Sequence, residues 1–226
     1  MRFIRCLTLL GGLAGLTLSL PAAAIFIGNS QGGAEFPAGT ISFADAVEEY
    51  SLGIGGATAA NTEPSNALGL PDYVSGGACA GDPADCTFVS LGAGGSLTLR
   101  FEDNVLTGSG NTDLDLWIFE VGPDVEATMV EVSTDGVVWE SVGSVGGSVS
   151  GIDLDAAGFG IDSLFSLVRL TDVAGEGGTS GDSVGADIDA VGAISTRPAA
   201  TVPEPGVVAL LGLGLLGLVL TRSRRI

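Results

Sequence analysis

Along most of the chain, apolar and polar residues alternate with a period of two, and glycine and aspartate cut the alternation into short runs. Over residues 96–101, Leu97, Leu99 and Phe101 share one face. Residues 115–121 form a mostly apolar run. Thr128, Val130 and Val132 alternate with Met129 and Glu131, and Thr134-Asp135-Gly136 then turns the chain into a strand over 137–142. Leu164, Ser166, Val168 and Leu170 alternate with Phe165, Leu167 and Arg169. Ile188, Ala190, Gly192 and Ile194 line one face of a last strand. Helical periodicity is scarce, and residues 43–50 could form one short helix. Seven or more short strands separated by turn signals predict an all-β fold, an antiparallel β-sandwich of jelly-roll type.

The two ends depart from this pattern. Arg2 and Arg5 precede an apolar run over 7–20, followed by Pro21 and then Ala22, Ala23 and Ala24. A basic start, a short apolar stretch and a small-residue cleavage site predict a signal peptide, cut after Ala24. The run is too short to read as a spanning helix. At the other end, Pro203-Glu204-Pro205 leads into an apolar run over 207–220 and then Arg222, Arg224 and Arg225. The prolines leave an extended, accessible backbone. The apolar run is short for a hydrocarbon core of ~30 Å, and the arginines stay on the cytoplasmic side, leaving the domain outside. The 226 residues therefore divide into a signal peptide (1–24), a β-sandwich exported domain (25–197) and a C-terminal hydrophobic sorting helix with its flanks (198–226).

Charge narrows the partners. The chain has no His and no Lys. Of its 27 acidic residues only Glu204 lies outside 25–200, so that stretch sets 26 acids against Arg100, Arg169 and Arg197, a net charge of −23. Such a surface repels nucleic acid and anionic lipid and attracts cations. Cys6 leaves with the signal peptide. Cys79 and Cys86 flank a loop-forming Gly-Asp-Pro segment, and in an exported domain they are expected to pair as a disulfide.

The order Pro-Glu-Pro, apolar helix, arginine cluster resembles the PEP-CTERM sorting signal. That resemblance implies export, transient inner-membrane anchoring and processing by an exosortase near Pro203, Glu204 and Pro205, in Gram-negative bacteria that make extracellular polysaccharide. The domain itself is similar to discoidin-like, galactose-binding-like modules at three places: Val132 to Trp139, which resembles their Ser-x-Asp-Gly-x-x-Trp hairpin; Leu167-Val168-Arg169-Leu170; and Asp187-Ile188-Asp189-Ala190-Val191-Gly192. Those modules commonly bind sugars, and many carry a structural calcium ion.

Catalysis is not expected. Without His no Ser-His-Asp or Cys-His arrangement can form, and zinc lacks its usual ligands. A carboxylate pair such as Asp113 with Asp115, or Asp187 with Asp189, could serve a glycosidase, but so close a pair more often marks a turn or a calcium site. One structural Ca²⁺ held by Asp72, Asp187 and Asp189 is the expected cofactor, set against a merely solvated acidic edge. On a regular strand Asp187 and Asp189 share one face while Ile188 and Ala190 share the other. For sugar binding Tyr73, in a Gly-rich loop, is the exposed aromatic candidate, and Trp139 is read as core. The expected role is a non-catalytic glycan- or matrix-binding protein of the cell surface or extracellular matrix. The alternative is a structural matrix protein without a specific ligand. Expected partners are signal peptidase and the secretion machinery, an exosortase and extracellular polysaccharide.

Overall fold

A computed structural model describes residues 23–199 apart from 30–31, 56, 58, 75–77, 80–86, 122–124, 148–149, 177–180 and 182. Among the described residues there is no α-helix, only short 3₁₀ turns between strands. The strands are β1 (Ile25–Asn29), β2 (Gly32–Phe36), β3 (Ala46–Ser51), β4 (Tyr73–Val74), β5 (Ala78–Cys79), β6 (Val89–Ser90), β7 (Ser96–Arg100), β8 (Asn104–Leu106), β9 (Leu116–Glu120) and β10 (Val125–Ser133). They continue with β11 (Glu140–Gly147), β12 (Gly151–Ile152), β13 (Leu167–Asp172), β14 (Asp187–Ala193) and β15 (Thr196–Pro198).

Two antiparallel sheets make the sandwich. One is five-stranded, in the order β11-β10-β13-β7-β3, and the other four-stranded, in the order β12-β9-β14-β6. Leu97 and Leu99 of β7, Val130 and Val132 of β10, and Val168 and Leu170 of β13 face Leu116 and Ile118 of β9 and Val191 of β14, all in one buried cluster. This is the alternation of the sequence turned into a core, with one side chain in two pointing inward.

The apolar run at 116–120 has a second cause. Every residue of β9 is buried, because the outer face of its sheet is covered too. Trp117 and Phe119 project to that face and pack with Phe36, Phe43 and Ala190. The β1–β2 hairpin supplies Ile25, Ile27 and Ala34 as the lid of this aromatic cluster. A strand buried on both faces reads as a continuous apolar run instead of an alternating one.

Three local expectations need correction. Residues 43–50 form no helix: a 3₁₀ turn covers Gly39–Ser42, Phe43 bridges to Gly192, and β3 follows, paired with β7. Pairing along a sheet edge overrides the helical preference of the Ala- and Glu-rich stretch. The strand expected over 137–142 starts later. The Asp135 carboxylate accepts the N–H groups of Val137 and Val138 at 2.8 and 3.1 Å, and Gly136 takes a φ of 77°. The turn therefore holds Val137 and Val138 out in solvent, and β11 begins at Glu140. Trp139 is not core either. It lies half-buried, with the Arg169 guanidinium over its ring.

Candidate functional site

Two places on the sandwich gather polar chemistry. The first lies where β14 begins, beside β6. The Ser90 hydroxyl donates to Asp187, and the Tyr50 hydroxyl donates to the Ser90 carbonyl at 2.7 Å. The Asp72 N–H donates to Asp189 Oδ1 at 3.2 Å, and the Asp72 carboxylate accepts both the N–H and the hydroxyl of Thr87, each at 2.9 Å. Asp172, buried nearby, accepts the N–H groups of Gly94 and Ala186 at 2.9 Å each. Both oxygens of Glu120 accept the Glu126 N–H, at 3.0 and 2.9 Å.

Burial dominates the electrostatics here. It pushes the Glu120 carboxyl up to about 8; the Glu126 N–H works against the shift, and the charges of Glu126 and Asp187 add to it. Asp187 is also raised by burial, with hydrogen bonds from Ser90 and Ser183 opposing and the Asp172 charge reinforcing. The Tyr50 phenol is raised by burial and by Asp187.

The structure thus brings Asp72 and Asp189 together, while Asp187 turns to Ser90. The cause is a bulge in β14. Ile188 pairs with Glu120 but Ala190 pairs with Phe119, so Asp189 is an extra residue in the ladder. Ile188 packs in the main core and Ala190 in the aromatic cluster. The shared face expected for Ile188 and Ala190 is therefore lost, because an inserted residue breaks the period of two.

The second place is a cleft of about 860 Å³ where β15 pairs with β8. Ile41, Ile161 and Ile194 give it apolar walls, and Asp103, Thr107 and Arg197 give it polar ones. Asn104, on β8, donates its Nδ2 to the Thr196 hydroxyl at 2.7 Å. Burial raises the Asp103 carboxyl, and the Asp45 and Glu102 charges add to that against a backbone hydrogen bond.

Directly behind this cleft lies a set of carboxylates that sequence reasoning does not assemble. One oxygen each of Asp115, Asp153 and Asp155 lies within 4.8 Å of the others. Asp115 precedes β9 and is fully buried, its Oδ2 accepting the Leu154 N–H at 2.8 Å. Burial raises this carboxyl; the hydroxyls of Ser195 and Ser109 and the Leu154 N–H oppose the rise, and the Asp155 charge reinforces it. Even so, Asp115 Oδ1 makes no hydrogen bond. Asp153 Oδ1 accepts the Ala156 N–H at 3.1 Å, and Asp155 Oδ2 accepts the Gly110 N–H at 2.9 Å. Sequence reasoning pairs Asp115 with Asp113, but Asp113 is exposed and donates its N–H to Asn111 Oδ1 at 2.6 Å. The only sequence trace of the set is the Asp-x-Asp spacing at 153 and 155, and nothing in the sequence joins it to residue 115.

Tyr73 and Cys79 pair across β4 and β5, their side chains lying outside what is described. Cys86, the sorting-motif residues Pro203, Glu204, Pro205, Arg222, Arg224 and Arg225, the apolar run 207–220 and the leader residues 1–22 lie outside the described residues. Among the described residues no helix is long and apolar enough to cross a membrane.

Comparison with known proteins adds to this. Residues 201–225 match the model of the PEP-CTERM protein-sorting motif. No curated protein matches the chain. Among solved structures, the C-terminal domain of a chitobiase from Bacteroides fragilis is similar at 14% identity and a TM-score of 0.38, over 71% of this chain and 95% of that one. With its sorting motif matched, the chain is an exported protein, held transiently at the membrane by its C-terminus and processed by an exosortase.

Proposed function

We propose that the exported domain is a non-catalytic binding module for a neutral glycan of the cell surface or extracellular matrix of a Gram-negative bacterium. On this reading signal peptidase and the secretion machinery deliver it, and extracellular polysaccharide is its partner. The observation that carries the proposal is the cleft between β8 and β15. Its volume suits a small oligosaccharide, and apolar walls with a few convergent polar groups are what a sugar face and its hydroxyls require. The net charge of 25–200 argues for a neutral polymer over an acidic one. The reading is tested by glycan-array binding followed by titration calorimetry. Binding of a neutral oligosaccharide that falls at least tenfold in both Asp103→Ala and Arg197→Ala supports it; loss on Tyr73→Ala alone moves the site to the β4–β5 ribbon. If no glycan binds the wild-type protein, the reading fails.

A second reading, a structural matrix protein without a specific ligand, draws on one observation. None of the described residues lining the cleft is aromatic, so among them the stacking platform common in sugar sites is missing.

A further inference from the structure

We propose that Asp115, Asp153 and Asp155 form a binding site for one divalent cation, calcium by preference, behind the wall of the β8–β15 cleft. The proposal stands independently of glycan binding. One oxygen from each carboxylate lies within 4.8 Å of the others, a spacing that oxygens take around a single ion with bonds of about 2.3–2.6 Å. Three acids close together are not in themselves a site, since acidic loops are common. Here the innermost one carries a defect that a cation would remedy. Asp115 is 0% exposed, its Oδ2 is engaged by Leu154, and its Oδ1 completes no hydrogen bond although the Ser195 and Ser109 hydroxyls act on the carboxyl. A buried carboxylate oxygen without a donor is costly and rare.

The chain offers no spare cationic side chain among the described residues. It lacks Lys and His. Arg100 is paired with Glu48, Arg169 with Glu131, and Arg197 faces Asp162 at 4.0 Å. A divalent cation would supply the positive charge that no described side chain brings to the three carboxylates.

The surroundings hold the ligands in place. The Ala156 N–H fixes one oxygen of Asp153 and the Gly110 N–H one oxygen of Asp155, as supporting hydrogen bonds do around metal centres. A Cβ added at Gly108 would lie 2.7 Å from Asp155 Oδ2 and 2.2 Å from the Phe159 carbonyl, so this glycine admits the carboxylate to the cluster. All-oxygen donors select a hard cation. Magnesium keeps several waters and a strict octahedron, whereas calcium accepts an irregular shell from a partly dry pocket. Once bound, the ion would tie the loop before β9 to the loop after β12. Gly108 and Ser109 of the first loop also line the cleft.

The test is calcium titration calorimetry on the chelator-treated purified protein, with thermal melting in parallel. The expected result is one site with a Kd of about 10⁻⁴ to 10⁻³ M, as in other extracellular modules, and a melting temperature that rises in calcium and rises less in magnesium. In the Asp153→Asn/Asp155→Asn double variant, both residues half-buried, affinity should fall at least tenfold while far-UV circular dichroism keeps the wild-type β signature. Asp115→Asn is the second variant and should lose the calcium-dependent melting shift. No calcium heat and no melting shift in the wild type would overturn the proposal. So would binding that survives the double variant and disappears in Asp187→Asn, which would move the ion to β14.

Discussion

The guanidinium carbon of Arg169 lies 4.1 Å from the centre of the Trp139 ring, while its Nε and one terminal nitrogen reach Glu131 Oε2 at 2.8 and 2.7 Å. Glu131 and Arg169 stand opposite each other in the β10–β13 ladder, and Trp139 closes over them from the turn that follows β10. The cation is thus shared between a ring face and a carboxylate on the outer side of the five-stranded sheet. Arg169→Lys should cost about 1–2 kcal/mol in urea unfolding, because an ammonium cannot lie flat on the ring and also engage the carboxylate edge-on. Trp139→Ala should cost a similar amount. The double variant should lose less than the sum of the two, since each single change already removes the same contact.

Glu120 gives the fold a defined pH response. Its carboxyl is pushed up to about 8 when folded, against an ordinary value of 4.5, so the native state keeps a proton that the unfolded chain releases. The contribution of Glu120 to stability is therefore highest below about 4.5, falls as the pH rises towards 8, and is flat beyond that. Glu126 and Asp187 are the charges that face it. Relative to the wild type, Glu120→Gln should remove a fall of a few kcal/mol across that window. Urea unfolding at pH 5 and pH 8 measures it; a wild-type-minus-variant difference that does not change with pH would show that Glu120 titrates normally.

Gly192 tests the double-sided burial of the four-stranded sheet. A Cβ built there would lie 2.5 Å from Phe36 Cε1 and 3.0 Å from Phe43 Cε1. Gly192→Ala should therefore destabilise by about 1–3 kcal/mol through overpacking. Adding Phe36→Leu should recover part of the loss in thermal melting, because it withdraws the ring that the new methyl meets.

The ends of the chain yield a mass prediction. The secreted protein should lack residues 1–24 and most of 206–226. It should also carry a Cys79–Cys86 bridge, which keeps its intact mass 2 Da below that of the reduced form on the ordinary loss of two hydrogens. Intact-mass analysis without reductant checks both, and two free thiols would rule out the bridge.

What the sequence disclosed follows from how local each signal is. Leu97 and Leu99, Val130 and Val132, and Val168 and Leu170 each sit on one side of their strand, and alternation alone places them in the core. The bulge at Asp189 is invisible to that rule, because one inserted residue leaves both flanking runs looking regular. The aromatic cluster was legible only as an excess of apolar residues in β9, since its lid comes from a hairpin some eighty residues earlier. The site at Asp115 was beyond reach for the same reason. Its three carboxylates come from two loops that meet only because β12 pairs with β9, and a pairing between distant segments leaves no periodic trace. Trp139 misled through its residue type: indoles are usually buried, and here a turn-borne one found an arginine instead.

The pairing of β15 with β8 sets the length of a leash. Pro198 stands opposite Asn104 in the ladder, the Ala199 N–H donates to the Asp103 carbonyl at 3.0 Å, and only four residues, Ala199 to Val202, separate Pro198 from Pro203. Fully stretched, that stretch reaches at most about 18 Å from Pro198 to Pro203. A protease that reads the Pro-Glu-Pro sequence must therefore work within about 18 Å of a folded wall. Peeling β15 from β8 would lengthen the tether by three residues, about 10 Å more, and would let the domain stand that much farther from the protease at the moment it is cut free.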